Sequence, residues 1–148
     1  MSGRACIYSS IAALAIGCAS AGEPKRVCVS LSASPSLNLY DGEPHAITLS
    51  LYPLDSSLDF EQISARDLLE GRVPSGTMGD PVKLSILPGE SRSLDQEFSP
   101  SVQKIGLVAS YYRAPGAPEG QRKAVVPAEC GFLRSREVFL SRSDVVLK

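Results

Sequence analysis

Apolar and polar residues alternate along much of this chain, and the alternation predicts strands. Val27, Val29, Leu31 and Ala33 take turns with Cys28, Ser30, Ser32 and Ser34, the period of two expected of a strand with one buried face. Ile47, Leu49 and Leu51 alternate likewise with Thr48, Ser50 and Tyr52. Pro44 and Pro53 bracket this run, because proline cannot donate to an interior ladder. Val82, Leu84 and Ile86 alternate with Lys83, Ser85 and Leu87. Pro88-Gly89-Glu90 then reads as a turn, proline presetting φ and glycine accepting a positive one, with Leu94, Gln96 and Phe98 as a weaker partner strand. Ile105 to Tyr112 is nearly all apolar, as a strand in the middle of a sandwich would be. Lys123 to Val126, Glu137 to Leu140 and Asp144 to Leu147 supply three more short strands, the last two joined by a polar turn around Ser141 to Ser143.

One stretch has a different period. From Asp59 to Glu70, Phe60, Ile63, Leu68 and Leu69 fall at roughly helical spacing, with Asp59 and Ser64 as N-cap residues and Gly71 as the stop. Ser64 followed by Asp67 resembles a capping box with a short acidic arm. About eight strands with one short inserted helical segment argue an all-β, two-sheet sandwich, since helices do not alternate with strands.

The amino terminus carries an address. Arg4 supplies a positive n-region, Ile7 to Ile16 an apolar h-region too short to span a bilayer, and Leu14-Ala15-Ile16-Gly17-Cys18 reads as a bacterial lipobox. Ala15 stands where a larger aliphatic residue is more usual. On this reading the chain divides into a lipoprotein signal peptide at 1–17, a lipidated tether at 18–25 and a sandwich domain at 26–148. Ala19, small and neutral after the cysteine, fits sorting to the outer membrane. The alternative is an ordinary secretory leader cut near Ala19 or Ala21.

Composition narrows the rest. The 148 residues less the 17 of the leader leave 131, one domain of ordinary size. A formal charge of -1, or -2 once Arg4 is removed, supplies no basic field for nucleic acid. Cys6 leaves with the leader and Cys18 is committed to lipid. Cys28 and Cys130 then remain as one pair in an oxidising compartment, a disulfide being the economical reading and two free thiols the alternative. Two cysteines without a histidine cluster make a poor zinc site.

No catalytic constellation is visible. The single histidine, His45, follows Pro44 at the start of a predicted strand with no Ser and Asp arranged around it. Asp55, Asp59 and Glu61 lack the order and the glycine of an EF-hand and read as a solvated acidic loop. In Tyr111-Tyr112-Arg113 one tyrosine must face inward, which gives a core residue and a rim residue. What remains for function is surface.

From Val27 to Val126 the order of motifs resembles the TssJ or VasD family, the outer-membrane lipoprotein of the type VI secretion apparatus. The resemblance rests on Leu37-Asn38 after an alternating strand, Asp41-Gly42, then Pro44 with Ile47 to Leu51 and Tyr52-Pro53-Leu54. Phe60 to Leu69, Pro88-Gly89-Glu90 and Ile105 to Arg113 come next in family order. The chain departs from the family in having Asn38-Leu39-Tyr40-Asp41 for Asn-Pro-Asp and Gln121-Arg122 for Trp-Arg, and it contains no tryptophan.

The resemblance implies a transthyretin-like β-sandwich, anchored by lipid on Cys18 in the outer membrane and facing the periplasm. It also implies no enzymatic activity, no metal, no small-molecule substrate and no cofactor beyond that covalent lipid. The implied partner is the periplasmic C-terminal region of the large inner-membrane subunit TssM, bound through the loop from Pro35 to Pro44. Leu37, Asn38, Leu39, Tyr40 and Asp41 are the expected contact residues; apolar groups in a loop suit a partner interface and equally suit a plug for one end of the sandwich. Two other classes are weighed. A transthyretin-like hydrolase of 5-hydroxyisourate needs several histidines and a terminal Tyr-Arg-Gly-Ser, where this chain ends Val145-Val146-Leu147-Lys148. A lipoprotein adaptor of another envelope machine, or a periplasmic ligand-binding sandwich, would share fold and anchor.

Overall fold

The computed structural model describes residues 22–130 and 136–148; Cys18 and the rest of the lipobox lie outside the described residues. Eight strands form in chain order: β1 (Lys25–Ala33), β2 (Ile47–Leu54), β3 (Val82–Ile86), β4 (Ser91–Phe98), β5 (Lys104–Ala109), β6 (Lys123–Pro127), β7 (Arg136–Leu140) and β8 (Val145–Leu147). They make two four-stranded sheets, ordered β4-β1-β7-β8 and β3-β2-β5-β6, with β1 and β7 parallel and every other pair antiparallel. The sandwich and its short helical insertion agree with the sequence pattern.

The alternation sorts residues between faces as period two requires. Val27, Val29 and Leu31 of β1, Ile47, Leu49 and Leu51 of β2, Ile105 and Leu107 of β5 and Val138 and Leu140 of β7 fill the space between the sheets. The outer face of the first sheet is polar: Ser30 pairs with Ser93 and Ser32 with Ser91. The second sheet is apolar outside as well, because Tyr52, Leu54 and Val108 are covered by Phe60, Ile63, Ala65 and Leu68 of the helical insertion. Gly106 makes that cover fit. A Cβ built on Gly106 would lie 2.6 Å from the Phe60 ring, so the buried ring occupies the place of the missing side chain.

Four expectations are corrected. The helical stretch is two short helices, α1 (Leu58–Gln62) and α2 (Ala65–Leu69). Extended backbone at Ile63 and Ser64 breaks it, and the Ser64 side chain caps α2 by accepting from the Asp67 amide. Asp59 is no cap; it lies in the first turn of α1 and accepts from the Ser75 amide at 2.6 Å. Pro53 does not bracket β2 but sits in it, since β3 ends opposite Leu51. The Pro53 carbonyl turns to the vacated side, where it accepts from the Met78 amide, so no ladder partner misses the absent N–H. Finally, β3 and β4 are not partners. The turn at Pro88-Gly89-Glu90 crosses between sheets, and β4 pairs with β1.

The two remaining cysteines are bonded. The Cys28–Cys130 disulfide ties β1 to the segment after β6, spanning 102 positions. Cys28 faces away from the valines, as the alternation requires. β1 itself starts at Lys25, inside the stretch assigned to the tether, because Lys25 already pairs with Phe98. Among the described residues no helix is long and apolar enough to cross a membrane.

Candidate docking site

The strand directions give the sandwich two unlike ends. β1 leads away from the amino terminus, and its nine residues carry the chain about 26 Å at ~3.3 Å per residue. Where β1 ends, the loop at 34–46, the segment at 110–122 and the turn at 141–144 come together. This loop end therefore lies opposite the end at which the chain enters the fold.

Local chemistry fixes the loop at 34–46. The Ser34 amide donates to Leu140 and the Asn38 amide to Arg142, which binds the loop to the β7–β8 turn. Asn38 has φ 49°, a left-handed conformation that asparagine tolerates better than most residues. Its side chain spans the end of the sandwich: Oδ1 accepts from the Tyr112 amide at 2.7 Å, and Nδ2 donates to the Ala46 carbonyl at 3.4 Å. Tyr40 and Glu43 exchange backbone hydrogen bonds around Asp41 (φ 52°) and Gly42 (φ 82°). Positive φ at both central residues is the type I′ turn that Asp-Gly favours.

The five expected contact residues divide. Leu37 is fully buried and belongs to the main core, and Asn38 is 7% exposed. They position the loop. Leu39 and Tyr40 are half-buried and Asp41 is exposed, so these three present a surface. The Tyr40 ring stacks on His45 at 3.7 Å between centroids and meets the Tyr112 ring at 4.6 Å. Tyr112 is 55% exposed while Tyr111 is buried, the expected division into rim and core, although β5 ends at Ala109, short of the strand expected to reach Tyr112, and both tyrosines lie beyond it. Leu39, Tyr40 and Tyr112 line a cavity of about 300 Å³ with Arg113 and Arg142.

Beside this rim lies a polar support. The Tyr111 hydroxyl is shared between the Ser141 and Asp144 carbonyls, and burial, reinforced by the Asp144 carboxylate, pushes it to a higher pKa. The Asp144 carboxylate accepts from the Ser143 hydroxyl and the Gln121 amide, which holds its pKa below the usual carboxylate value. Arg113 Nη2 donates to the Ser143 carbonyl at 2.7 Å and lies 3.6 Å from Asp144. Arg142 is exposed, and among the described residues no ion pair engages it. Sequence reasoning missed Tyr112, Arg113 and Arg142 as one rim. Their separation in sequence hides it, and the signal within reach was an aromatic-cationic pair directly after an apolar strand. Nothing in this arrangement brings a nucleophile to a base, and among the described residues no group of three or more His, Cys, Asp or Glu side chains gathers to hold a metal.

Residues 25–141 match the family described as T6SS-SciN, the type VI secretion lipoproteins VasD, EvfM and TssJ. The fold is similar to that of the type VI secretion lipoprotein TssJ1 from Pseudomonas aeruginosa, with 21% identity and a TM-score of 0.68 over 85% of this chain and 96% of that one. It is similar to Lip from Serratia marcescens, a membrane-bound component of the type VI secretion system, with 16% identity and a TM-score of 0.68 over 84% of this chain and 97% of that one. It also matches a chain in the structure described as the T6SS protein TssM C-terminal domain (869–1107) from EAEC, with 17% identity and a TM-score of 0.69 over 84% of this chain and 98% of that one. No curated protein matches the chain.

Proposed function

Because the chain belongs to the family of type VI secretion lipoproteins, we propose that it is a lipid-anchored adaptor that docks a TssM-type inner-membrane protein at the periplasmic face of the outer membrane. Its work is attachment: it needs no cofactor beyond the lipid on Cys18, and it carries out no reaction. The family match carries this reading. Support from the fold is the placement of an apolar rim, half-buried Leu39 and Tyr40 with exposed Tyr112, at the end opposite the amino-terminal entry. Rings held by stacking lose little freedom on binding, which favours tyrosine as an interface anchor.

Two substitutions test the two halves of the reading. Cys18→Ser should abolish palmitate labelling and move the protein from the membrane fraction to the soluble periplasm; membrane retention would refute the anchor. Leu39→Asp with Tyr40→Ala should weaken capture of a purified TssM-type periplasmic fragment while leaving thermal stability unchanged. Lost stability with unchanged capture would make these residues a plug.

A further inference from the structure

The end where the chain enters the fold carries two apolar side chains that the described residues leave exposed. Leu58, the first residue of α1, is 70% exposed, and Met78 is 37% exposed. Phe60, two residues on, points into the covered face of the second sheet, so Leu58 is turned away from it. Hydrogen bonds of these residues or of their neighbours fix both to this end. The Met78 amide donates to the Pro53 carbonyl at the end of β2, and the adjoining Thr77 bridges Leu54. Leu58 comes directly after Ser57, whose hydroxyl accepts from Lys104 at the start of β5 at 2.9 Å.

The amino-terminal segment arrives at the same place. Gly22 lies against Pro100, to which a Cβ on it would come within 3.2 Å. Pro100 belongs to the turn at 99–102 that leads into Gln103 and Lys104, and the Gln103 amide donates to Leu54. Cys18 is four residues before Gly22, so a fully extended tether reaches about 14 Å at ~3.3–3.6 Å per residue. That is shorter than β1, so the molecule cannot invert to stand on its loop end, although the tether alone would let it lie on its side.

We propose that this end is a bilayer seat: Leu58 and Met78 enter the headgroup boundary of the membrane that carries the Cys18 lipid, with the Lys104 ammonium beside them at the phosphates. The inference rests on the lipid anchor described above. Two side chains do not recruit the protein; they orient a body that acyl chains already hold, and so point the loop end away from the membrane.

Because the chain has no tryptophan, one introduced indole reports on one place. The acylated mature protein carrying Leu58→Trp is reconstituted in vesicles of phosphatidylethanolamine and phosphatidylglycerol doped with chain-brominated phosphatidylcholine. At the ~5–10 Å depth of an interfacial side chain, its emission should shift to the blue and fall by about half. Met78→Trp should behave alike, and Leu87→Trp, 58% exposed beside the loop end, should stay red and unquenched. If intact mass shows the acyl chains on Cys18 yet Leu58→Trp and Met78→Trp are quenched no more than Leu87→Trp, the seat is refuted and the anchor stands. If the mass shows no acyl chain, the anchor reading fails and the seat falls with it.

Discussion

Asn38 joins the loop at 34–46 to the segment after β5, and its replacement separates the forces that hold the docking end together. Three terms act there: the acceptor for the Tyr112 amide, the weaker donor to Ala46, and a left-handed backbone. Asn38→Ala removes both side-chain bonds. Leaving the part-buried Tyr112 amide without its acceptor costs ~1–3 kcal/mol, and alanine in a left-handed conformation adds ~1–2 kcal/mol. Asn38→Gly loses the same bonds and escapes the strain, but it loosens the unfolded chain by ~0.4–1 kcal/mol. Asn38→Asp keeps an oxygen facing Tyr112, and at a pH where its carboxyl is protonated the second oxygen still donates to Ala46, so there its cost should stay below about 1 kcal/mol; ionised, it would set a nearly buried charge against the Ala46 carbonyl. With Asp protonated, the expected order of damage is therefore Asp, then Gly, then Ala. Urea unfolding of the mature chain made soluble by Cys18→Ser measures it. With a slope of ~1–3 kcal/mol per molar, Ala should lower the midpoint by about 1–2 M. Under conditions where each variant is folded, capture of the TssM-type fragment should fall in the same order, because Leu39 and Tyr40 move with the displaced residue. Should Asp prove as damaging as Ala, the bond to Tyr112 is not what holds the loop; should Gly equal Ala, backbone strain plays no part.

Three further outcomes are expected. Reduction of the intact protein should raise its mass by two protons, and Cys28→Ser with Cys130→Ser should destabilise it by up to ~4.7 kcal/mol, the chain-entropy value for a loop of about 100 residues; an unchanged mass removes the bond. Gly106→Ala should cost ~1–3 kcal/mol by overpacking against Phe60, and less in a Phe60→Leu background; additive costs would mean the two do not touch in solution. The Asp144 carboxylate has a folded pKa below its unfolded one, so its stabilisation is present above the unfolded value of ~3.9 and is lost as pH falls through the folded value. Urea midpoints should accordingly drop less between pH 5 and pH 2 for Asp144→Asn than for the parent chain, and parallel profiles would remove Asp144 from the acid response.

β1 is legible in the sequence because it buries one face, which writes a period of two into its residues, whereas β2 and β5 are buried on both faces and β5 shows as a nearly continuous apolar run. β1 and β2 can be read nearly to their ends, but the apolar run of β5 continues to Tyr112 past the strand's end at Ala109. The helical insertion reads as one helix because its apolar spacing runs unbroken from Phe60 to Leu69, although the chain breaks at Ile63 and Ser64, where the Ser64 side chain caps α2. Pro53 misleads because a local rule about donors says nothing of which neighbour strand has already ended. The pairing of β4 with β1 depends on which sheet the chain enters after Pro88-Gly89-Glu90, and no residue in that turn encodes it. At the docking end, Leu37 to Asp41 stand out as apolar residues in a loop, but the division into buried Leu37 and Asn38 and presented Leu39, Tyr40 and Asp41 is tertiary. So is the meeting of Tyr40 with Tyr112, which are 72 positions apart.

On the proposed reading, the two contacts fall at the two ends of one strand. The lipid attaches ahead of β1, and the docking loop begins where β1 ends. A pull between outer membrane and partner runs along β1, which is held on one side by eight antiparallel pairings with β4 and on the other by five parallel pairings with β7. Force along a strand loads such ladders in shear, many hydrogen bonds at once, whereas force across an edge strand opens them one by one. The disulfide from Cys28 lies near the lipid end of β1 and passes load to the segment that follows β6. An adaptor without catalysis needs little more than this: a short tether, a strand clamped on both sides, and rigid rings at the far end.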